Sequence, residues 1–141
     1  MVIYVAASWK HEHAVILLTR VLRAAGYEVR SFVENNHGEQ RGHAALNEDG
    51  TPIPFEEWVH SDRGVASFAF DTQWVAHADC VIYIGPSGTD AWAEVGLAYG
   101  NRVPVLGLWA KGEQIGLMRH MVAWCSGIDE LLGAVKTVLG K

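Results

Sequence analysis

The sequence predicts a doubly wound α/β fold, with a flavodoxin-like, mostly parallel five-stranded sheet and helices on both of its faces. Short apolar runs rich in β-branched residues alternate along the chain with segments that have helical periodicity. These runs are hydrophobic at consecutive positions, which is typical of strands buried on both faces. The length of 141 residues, with no internal repeat, predicts a single domain over residues 1–141.

The start of the chain predicts a strand, a helix and a second strand. A buried strand is predicted at 2–7, a helix at 11–25 that Gly26 ends, and a strand at 27–33. The crossover between the two strands is expected to be right-handed. The helical residues expected to face the core are Ala14, Leu17, Leu18, Val21, Leu22 and Ala25.

The polar segment at 35–54 interrupts this alternation. It is rich in asparagine, histidine and glycine and is long for a connection in a compact domain. It is interpreted either as a mobile lid over a site or as a surface excursion without a role, and the sequence leaves both open.

The remainder of the chain resumes the alternation of helices and strands. Helices are predicted at Phe55–His60, 65–78, 90–99, 113–124 and Ile128–Leu139, and strands at Cys80–Ile84 and 103–109, with a short fifth strand near 124–126. The last helix is expected to turn Leu131, Leu132, Val135 and Leu139 inward. The stretch at 116–124 fits either a partner-facing helix or core. Core or subunit-interface positions are expected for Trp58, Trp74, Trp92, Trp109 and Trp124.

The composition limits the classes of function. Half of the residues are hydrophobic and 19% are charged, which indicates a folded globular chain. The net charge of −5 argues against polymeric nucleic acid as a partner but allows a single nucleotide in a local pocket. The N-terminus lacks a signal-peptide pattern, and no apolar run reaches the ~18 residues that a membrane span needs. A cytoplasmic protein without a membrane partner is therefore expected.

Neither the cysteines nor the histidines predict a metal site. Cys80 and Cys125 are far apart in apolar surroundings and are expected to be reduced core thiols. His11 and His13 would not share one helix face, and no cysteine stands near them at zinc-binding spacing. The sequence therefore predicts no metal and no cofactor.

Two strand ends carry small and polar residues, and ligands bind at the carboxyl ends of strands in open parallel sheets. They are 6–9, Ala-Ala-Ser-Trp, and 85–90, Gly-Pro-Ser-Gly-Thr-Asp. The second leads into a predicted helix, where free backbone N–H groups and the helix dipole favour a phosphate or carboxylate. The alternative is that Thr89 or Asp90 simply caps the helix.

Three acids lie near these strand ends. Glu94 is a lone carboxylate in an apolar helical stretch, so it is either a buried functional group or an exposed first-turn glutamate stabilised by the helix dipole. Asp71 ends an apolar run and is either functional or on a solvated helix face. Asp79, directly before a strand, is best explained by a turn or cap.

Some of these residues form a recurring pattern. Tyr4 stands five residues before Trp9 in the first strand and its turn, and seven residues separate Asp71 from Asp79. Residues 94–98 read Glu-Val-Gly-Leu-Ala. In order and spacing, over residues 2 to about 109, this pattern resembles the nucleoside 2-deoxyribosyltransferase superfamily, which includes nucleotide N-glycosidases. That family carries E-[LIV]-G-x-A, whose glutamate is the nucleophile.

The resemblance implies cleavage or exchange of the bond between a base and the sugar C1′ of a nucleoside or nucleotide. Glu94 would be the nucleophile toward C1′, Tyr4 would orient it, and Asp71 would handle the proton of the base. A carboxylate suits the positive charge that develops on the sugar, and an acid suits the departing nitrogen. A second base as acceptor makes a transferase, and water makes a hydrolase.

The resemblance also implies residues that bind substrate. Trp9 would line the base pocket, where an aromatic face can stack on a nucleobase. The sugar or phosphate would contact Ser8, Ser87 and Gly88. From position alone, Tyr4 and Trp9 also fit plain core roles. The family further implies a homo-oligomer in which a neighbouring subunit helps to close the pocket.

One departure and two alternatives accompany the resemblance. Family turns place Gly-Thr three or four residues before the glutamate, whereas Gly88 and Thr89 lie six and five residues before Glu94. This leaves the place of the substrate's 5′ end open. The first alternative is a non-catalytic nucleotide-binding or sensor domain of the same fold. The second is a phosphoribohydrolase resembling the cytokinin-activating family, whose P-G-G-x-G-T-x-x-E is only distantly matched by residues 85–94.

Overall fold

The computed structural model describes residues 1–34, 47 and 49–140, and these form a sheet of five parallel strands. The strands are β1 (Val2–Ala6), β2 (Glu28–Ser31), β3 (Cys80–Ile84), β4 (Val105–Leu108) and β5 (Ala123–Cys125). Their spatial order is β2-β1-β3-β4-β5, the flavodoxin-like order. The predicted fold class is confirmed.

Helices cover both faces of the sheet. They are α1 (Glu12–Ala24), α2 (Phe55–His60), α3 (Asp62–His77), α4 (Thr89–Gly100) and α5 (Ile128–Leu139), with 3₁₀ turns at Trp9–His11 and Leu117–Met121. One core cluster joins the sheet to α1 and α5, and a second joins it to α3 and α4. Burial on both faces explains why β3 is apolar at every position.

Alternation along β1 decides which side chains reach which face. Ile3 and Val5 point into the cluster with α1 and α5, whereas Tyr4 and Ala6 point into the cluster with α3 and α4. The fully buried ring of Tyr4 therefore lies on the side of the sheet that carries Asp71 and Glu94.

The strand order also creates a crevice. From β1 the chain moves outward to β2, and it then returns to β3 on the other side of β1. The connections that follow β1 and β3 therefore diverge. At such a switch point, the carboxyl ends of the two strands border a natural ligand site.

Two predictions about helices are wrong. In α1 the buried face is Val15, Leu18, Thr19 and Leu22, whereas Leu17 and Val21 are 61% and 44% exposed. The apolar residues of α1 span more than one face, and only this narrower stripe meets the sheet. The predicted helix at 113–124 is instead a 3₁₀ turn followed by β5, because residues 123–125 pair with the edge of β4.

Other predictions need smaller corrections. Helix α3 begins at Asp62, three residues earlier than predicted, because the Ser61 hydroxyl accepts a hydrogen bond from Gly64 N–H at 3.0 Å and caps it. Trp109 is 58% exposed, so of its two predicted positions it does not occupy the core, and a subunit interface stays a prediction. The other four tryptophans, Trp58, Trp74, Trp92 and Trp124, are partly buried. Both cysteines are buried free thiols, as expected.

The structure bears only in part on the polar segment and on membrane association. The predicted lid at 35–54 lies outside them except for residues 47 and 49–54. Among the helices of the described residues, none has the length and apolar character needed to cross a membrane.

Candidate active site

A pocket opens at the switch point between β1 and β3. Its volume is about 340 Å³, which is within the range of small-molecule sites. The loops after β1, β2 and β3 and one face of α3 and α4 form its walls. The lining residues are Ala7, Ser8, Trp9, Phe32, Asp71, Gly88, Thr89, Asp90, Ala91 and Glu94.

A second, more open concavity of about 800 Å³ lies between α4, β4 and β5. Its lining comes from Tyr99, Gly100, residues 102–106, residues 120–123 and Val138, and includes no acidic side chain. Of these two concavities, the smaller pocket at the switch point is the one whose described lining contains carboxylates.

Glu94 is the most perturbed acid of this pocket. Its Oε2 atom is buried and has no hydrogen-bond partner among the described residues. Burial, and then the negative charge of Asp71, raise its pKa to about 8, although a hydrogen bond with Tyr4 acts in the opposite direction. Of the two interpretations left open by the sequence, the buried group is the one that the structure shows.

Tyr4 links Glu94 to Asp71. The Tyr4 hydroxyl donates to Asp71 Oδ1 at 3.1 Å, although 67 positions separate the two residues in the chain. Burial raises the pKa of Tyr4, and the charges of Glu94 and then Asp71 raise it further, so the phenol keeps its proton. Burial also raises the pKa of Asp71, to about 6, against the opposing effect of the Tyr4 hydrogen bond. The pocket therefore contains two acids whose pKa values are raised above their ordinary values, chiefly by burial.

Trp9 forms an aromatic wall with Phe32. The two rings meet edge to face, with centroids 4.9 Å apart and planes at 85°. Both side chains line the pocket and also pack on the α1–α5 core cluster. Contact of Trp9 with a base stays a prediction. Sequence reasoning missed Phe32, although it directly follows β2 and the rule about strand ends could have found it.

The turns at 7–8 and 85–88 differ from expectation. The N–H groups of the second turn were expected to face a ligand, but Gly88 N–H donates across the crevice to the Ser8 hydroxyl, and Ser8 N–H donates in return to the Ser87 hydroxyl. Ser8 N–H binds Ser87 Oγ at 2.8 Å, and Gly88 N–H binds Ser8 Oγ at 2.7 Å. Ser8 and Gly88 line the pocket, whereas Ser87, which was also expected to contact substrate, is not among the lining residues. These N–H groups therefore hold the two turns together.

The helix cap also differs from expectation. Gly88 occupies the N-cap of α4, and neither Thr89 nor Asp90 caps the helix through its side chain. The N-terminus of α4 thus faces the pocket without a side-chain cap. Asp90, four residues before Glu94 on the same helix face, adds a third carboxyl group and raises the pKa of both Asp71 and Glu94. Its helical spacing from Glu94 was the signal that could have identified it.

Asp79 lies apart from the pocket. Its Oδ2 atom accepts a hydrogen bond from Val2 N–H at 2.7 Å, at the amino end of β1. This agrees with the predicted turn or cap role, and Asp79 has no part in the site. No group of three or more potential metal ligands occurs within the described part of the chain.

Comparison with solved structures finds the same fold in several proteins. A 2-deoxyribosyltransferase from the psychrotolerant bacterium Bacillus psychrosaccharolyticus has a TM-score of 0.68 and 24% identity, covering 93% of this chain and 90% of its own. A CMP N-glycosidase from Clostridium botulinum has a TM-score of 0.60 and 16% identity, covering 96% of this chain and 99% of its own.

A conserved protein from Enterococcus faecalis has a TM-score of 0.60 and 16% identity, covering 97% of this chain and 98% of its own. Comparison of the sequence with protein-family models and with curated proteins gives no match. The similarity to these three structures shows that the chain has their fold over nearly its whole length.

Proposed function

We propose that this chain belongs to the nucleoside 2-deoxyribosyltransferase-like superfamily and that it cleaves or exchanges the N-glycosidic bond of a nucleoside or nucleotide. One observation carries the proposal: Asp71 and Glu94 line the same pocket at the switch point, with the Tyr4 hydroxyl between them. The shared fold with a 2-deoxyribosyltransferase and a CMP N-glycosidase supports it.

Glu94 is the nucleophile in this proposal. A carboxylate oxygen of Glu94 attacks C1′ and forms a C1′–O bond while the C1′–N bond breaks and its electron pair leaves with the base. Before substrate binds, the Glu94 carboxyl is protonated in most molecules at neutral pH, because its pKa is about 8. Positive charge developing on the sugar favours its ionised form, so the pocket stabilises the transition state more than the free state.

Asp71 is the proton donor and acceptor. In its protonated form it gives a proton to the departing base nitrogen, and it takes a proton back from water or an acceptor base that attacks C1′ in the second half of the reaction. A pKa of about 6 suits both roles near neutral pH. The Tyr4 hydroxyl donates to Asp71 at 3.1 Å and thereby orients that carboxyl group.

The remaining walls suit the other parts of a nucleoside. Trp9 and Phe32 offer aromatic surface to the base. Ser8 and Gly88 border the sugar, and the Ser87 hydroxyl holds Ser8 in place by accepting its N–H.

Two features act on a 5′-phosphate in opposite directions. The N-terminus of α4, without a side-chain cap, attracts it, whereas the carboxyl groups of Asp71 and Asp90 repel it. The substrate panel must therefore include nucleosides and their 5′-monophosphates.

The experiment is chromatographic detection of free base from that panel, with and without a second base as acceptor. The wild-type chain is expected to release or exchange base, and Glu94→Gln is expected to lose at least about 1,000-fold in rate, as nucleophile removal does in other enzymes. Glu57→Gln is the matched control, because Glu57 is exposed on α2 and contributes nothing to the pocket. Thermal stabilisation by a nucleotide without release of base would instead indicate a binding or sensor domain.

We further propose that a second copy of the chain covers the exposed apolar face of α2 and α3. Phe55 and Phe68 are 77% and 70% exposed, and Val59 and Val65 lie beside them in the same two helices. Apolar patches of this kind are uncommon on monomers. Light scattering on the purified chain should give at least twice the monomer mass, and Phe68→Glu should return it to the monomer.

A further inference from the structure

Glu113 is a buried carboxylate outside the pocket. It follows β4, and its side chain is only 2% exposed. Its Oε2 accepts from the Tyr83 hydroxyl at 2.6 Å, while Oε1 accepts from Arg119 Nη2 at 2.9 Å and Trp92 Nε1 at 3.3 Å. A buried charge is costly unless it is paired and hydrogen-bonded, and here both oxygens are satisfied. The arrangement therefore fixes where the proton of Tyr83 points.

The Tyr83 hydroxyl connects Glu113 to the turn at 85–88 through two hydrogen bonds. This hydroxyl has one proton, and that proton is donated to Glu113 Oε2. The lone pairs of the same oxygen accept the backbone N–H of Ser87 at 3.0 Å. Burial and the bond to Glu113 raise the pKa of Tyr83, so the phenol does not ionise at neutral pH.

Ser87 extends the chain of hydrogen bonds to the pocket wall. Its hydroxyl donates to Ile84 O at 2.6 Å and accepts Ser8 N–H at 2.8 Å. Ser8 in turn accepts Gly88 N–H at 2.7 Å, and both Ser8 and Gly88 line the pocket. An unbroken series of hydrogen bonds thus runs from Glu113 to the residues that border the proposed sugar site.

The turn is also packed closely against Glu113. A Cβ atom on Gly85 would overlap the Glu113 carboxylate, so a side chain at position 85 would displace it. On the other side, His11 Nε2 donates to Pro86 O at 2.6 Å. The turn at 85–88 is therefore held from β3, from the segment after β4 and from the start of α1.

We propose that Glu113 is a positioning residue, which acts through Tyr83 to fix the 85–88 turn and thereby the wall formed by Ser8 and Gly88 opposite Glu94. Glu113 itself does not touch the substrate. The inference rests on the proposed function, because it is the sugar-facing wall that Glu113 positions.

Two aromatic substitutions separate positioning from ordinary stability. Tyr83→Phe removes one hydrogen bond to Glu113 and also the acceptor of Ser87 N–H, whereas Trp92→Phe removes one hydrogen bond to Glu113 and leaves the link to Ser87 in place. Tyr83→Phe is expected to lower kcat/KM by about tenfold more than Trp92→Phe does, the factor for one hydrogen bond. Glu113→Gln should lower kcat/KM by more than Trp92→Phe and by no more than Tyr83→Phe. With its amide oxygen facing the donors Arg119 and Trp92, its amide nitrogen cannot accept the Tyr83 proton, but the Tyr83 oxygen still accepts Ser87 N–H.

The double variant gives a further readout. If Glu113 acts through Tyr83, combining Tyr83→Phe with Glu113→Gln lowers kcat/KM no more than the worse single variant. Additive losses, or equal losses in Tyr83→Phe and Trp92→Phe, would overturn the inference, since a merely structural role would affect all of these variants through stability alone.

Amide hydrogen exchange tests the turn without any substrate. The Ser87 amide is expected to exchange about tenfold faster in Tyr83→Phe than in Trp92→Phe, because only the first variant removes its acceptor. Equal exchange rates at Ser87 would overturn the inference whatever the kinetics show. If the wild-type chain released no base from any substrate, the proposed function would fail, while this measurement would still decide whether Tyr83 holds the turn.

Discussion

Replacing Glu94 by glutamine is expected to stabilise the fold at neutral pH while it abolishes the release of base. Folding raises the pKa of Glu94 from an ordinary value of 4.5 to about 8. The folded state therefore keeps a proton that the unfolded chain releases. For an acid shifted upward, the stability of the folded state is fully present below about pH 4.5 and is lost as the pH rises toward 8.

The size of the effect on the free energy of unfolding follows from the difference between the unfolded and folded pKa values of Glu94. Each pH unit between the two pKa values costs about 1.4 kcal/mol, so the carboxyl lowers the free energy of unfolding by about 3 kcal/mol at pH 7. Glutamine has nearly the same shape and does not ionise, so Glu94→Gln should recover most of this. For a chain of 141 residues, the melting temperature should rise by about 5–10 °C.

The assay is thermal unfolding followed by circular dichroism, for the wild type and Glu94→Gln, between about pH 4 and pH 9. The difference in Tm should be near zero at the acid end and should grow until about pH 8. Glu57→Gln controls for the removal of one exposed carboxyl group. If Glu94→Gln is no more stable than the wild type at pH 8, or if the difference does not vary with pH, the carboxyl is not held in a costly buried state and the reasoning fails.

Three further predictions concern the site and the core. The kcat/KM of the wild type should follow a bell-shaped pH profile with limbs near 6 and 8, and a flat profile would contradict this. In Asp71→Asn the upper limb should disappear, and the residual activity should rise with a midpoint below pH 8, because the charge that raises the pKa of Glu94 is gone. In steady-state kinetics, Trp9→Ala should raise KM about tenfold through lost stacking on the base and should affect kcat less, while Trp9→Phe should be close to the wild type. An unchanged KM in Trp9→Ala would mean that Trp9 does not stack on the base. Val15 is fully buried and Val21 is 44% exposed, so urea denaturation should show that Val15→Ala lowers the free energy of unfolding by about 2 kcal/mol and Val21→Ala by less than about 1 kcal/mol. Equal losses would mean that the buried face assigned to α1 is incorrect.

The strands were predictable because both of their faces are buried. Residues 80–84 are apolar at every position, and the predicted strand there has the bounds that the structure gives it. The helix predicted at 113–124 failed for the opposite reason. Three of its apolar residues, Ile115, Leu117 and Met118, are exposed, so the spacing of apolar residues in this segment did not report burial. Pairing with β4 decided the conformation of residues 123–125 instead.

The site was predictable only in part. Strand ends and the family pattern indicated Asp71, Glu94 and Trp9, and the structure brings all three to one pocket. The sequence did not indicate that Ser8 and Gly88 use their N–H groups on each other's turn, since those bonds join residues about 80 positions apart. Nor did it indicate Glu113, whose burial depends on a contact with β3.

The sequence by itself determined the alternation of strands and helices and placed a carboxylate in an apolar helix, because hydrophobic periodicity and local composition are properties of neighbouring residues. The tertiary structure decided which face of each helix is buried, how Tyr4 meets Asp71, and how far burial raises the pKa of Glu94. These depend on packing between elements that are distant in the chain, and desolvation of a carboxyl group is set by all the atoms around it.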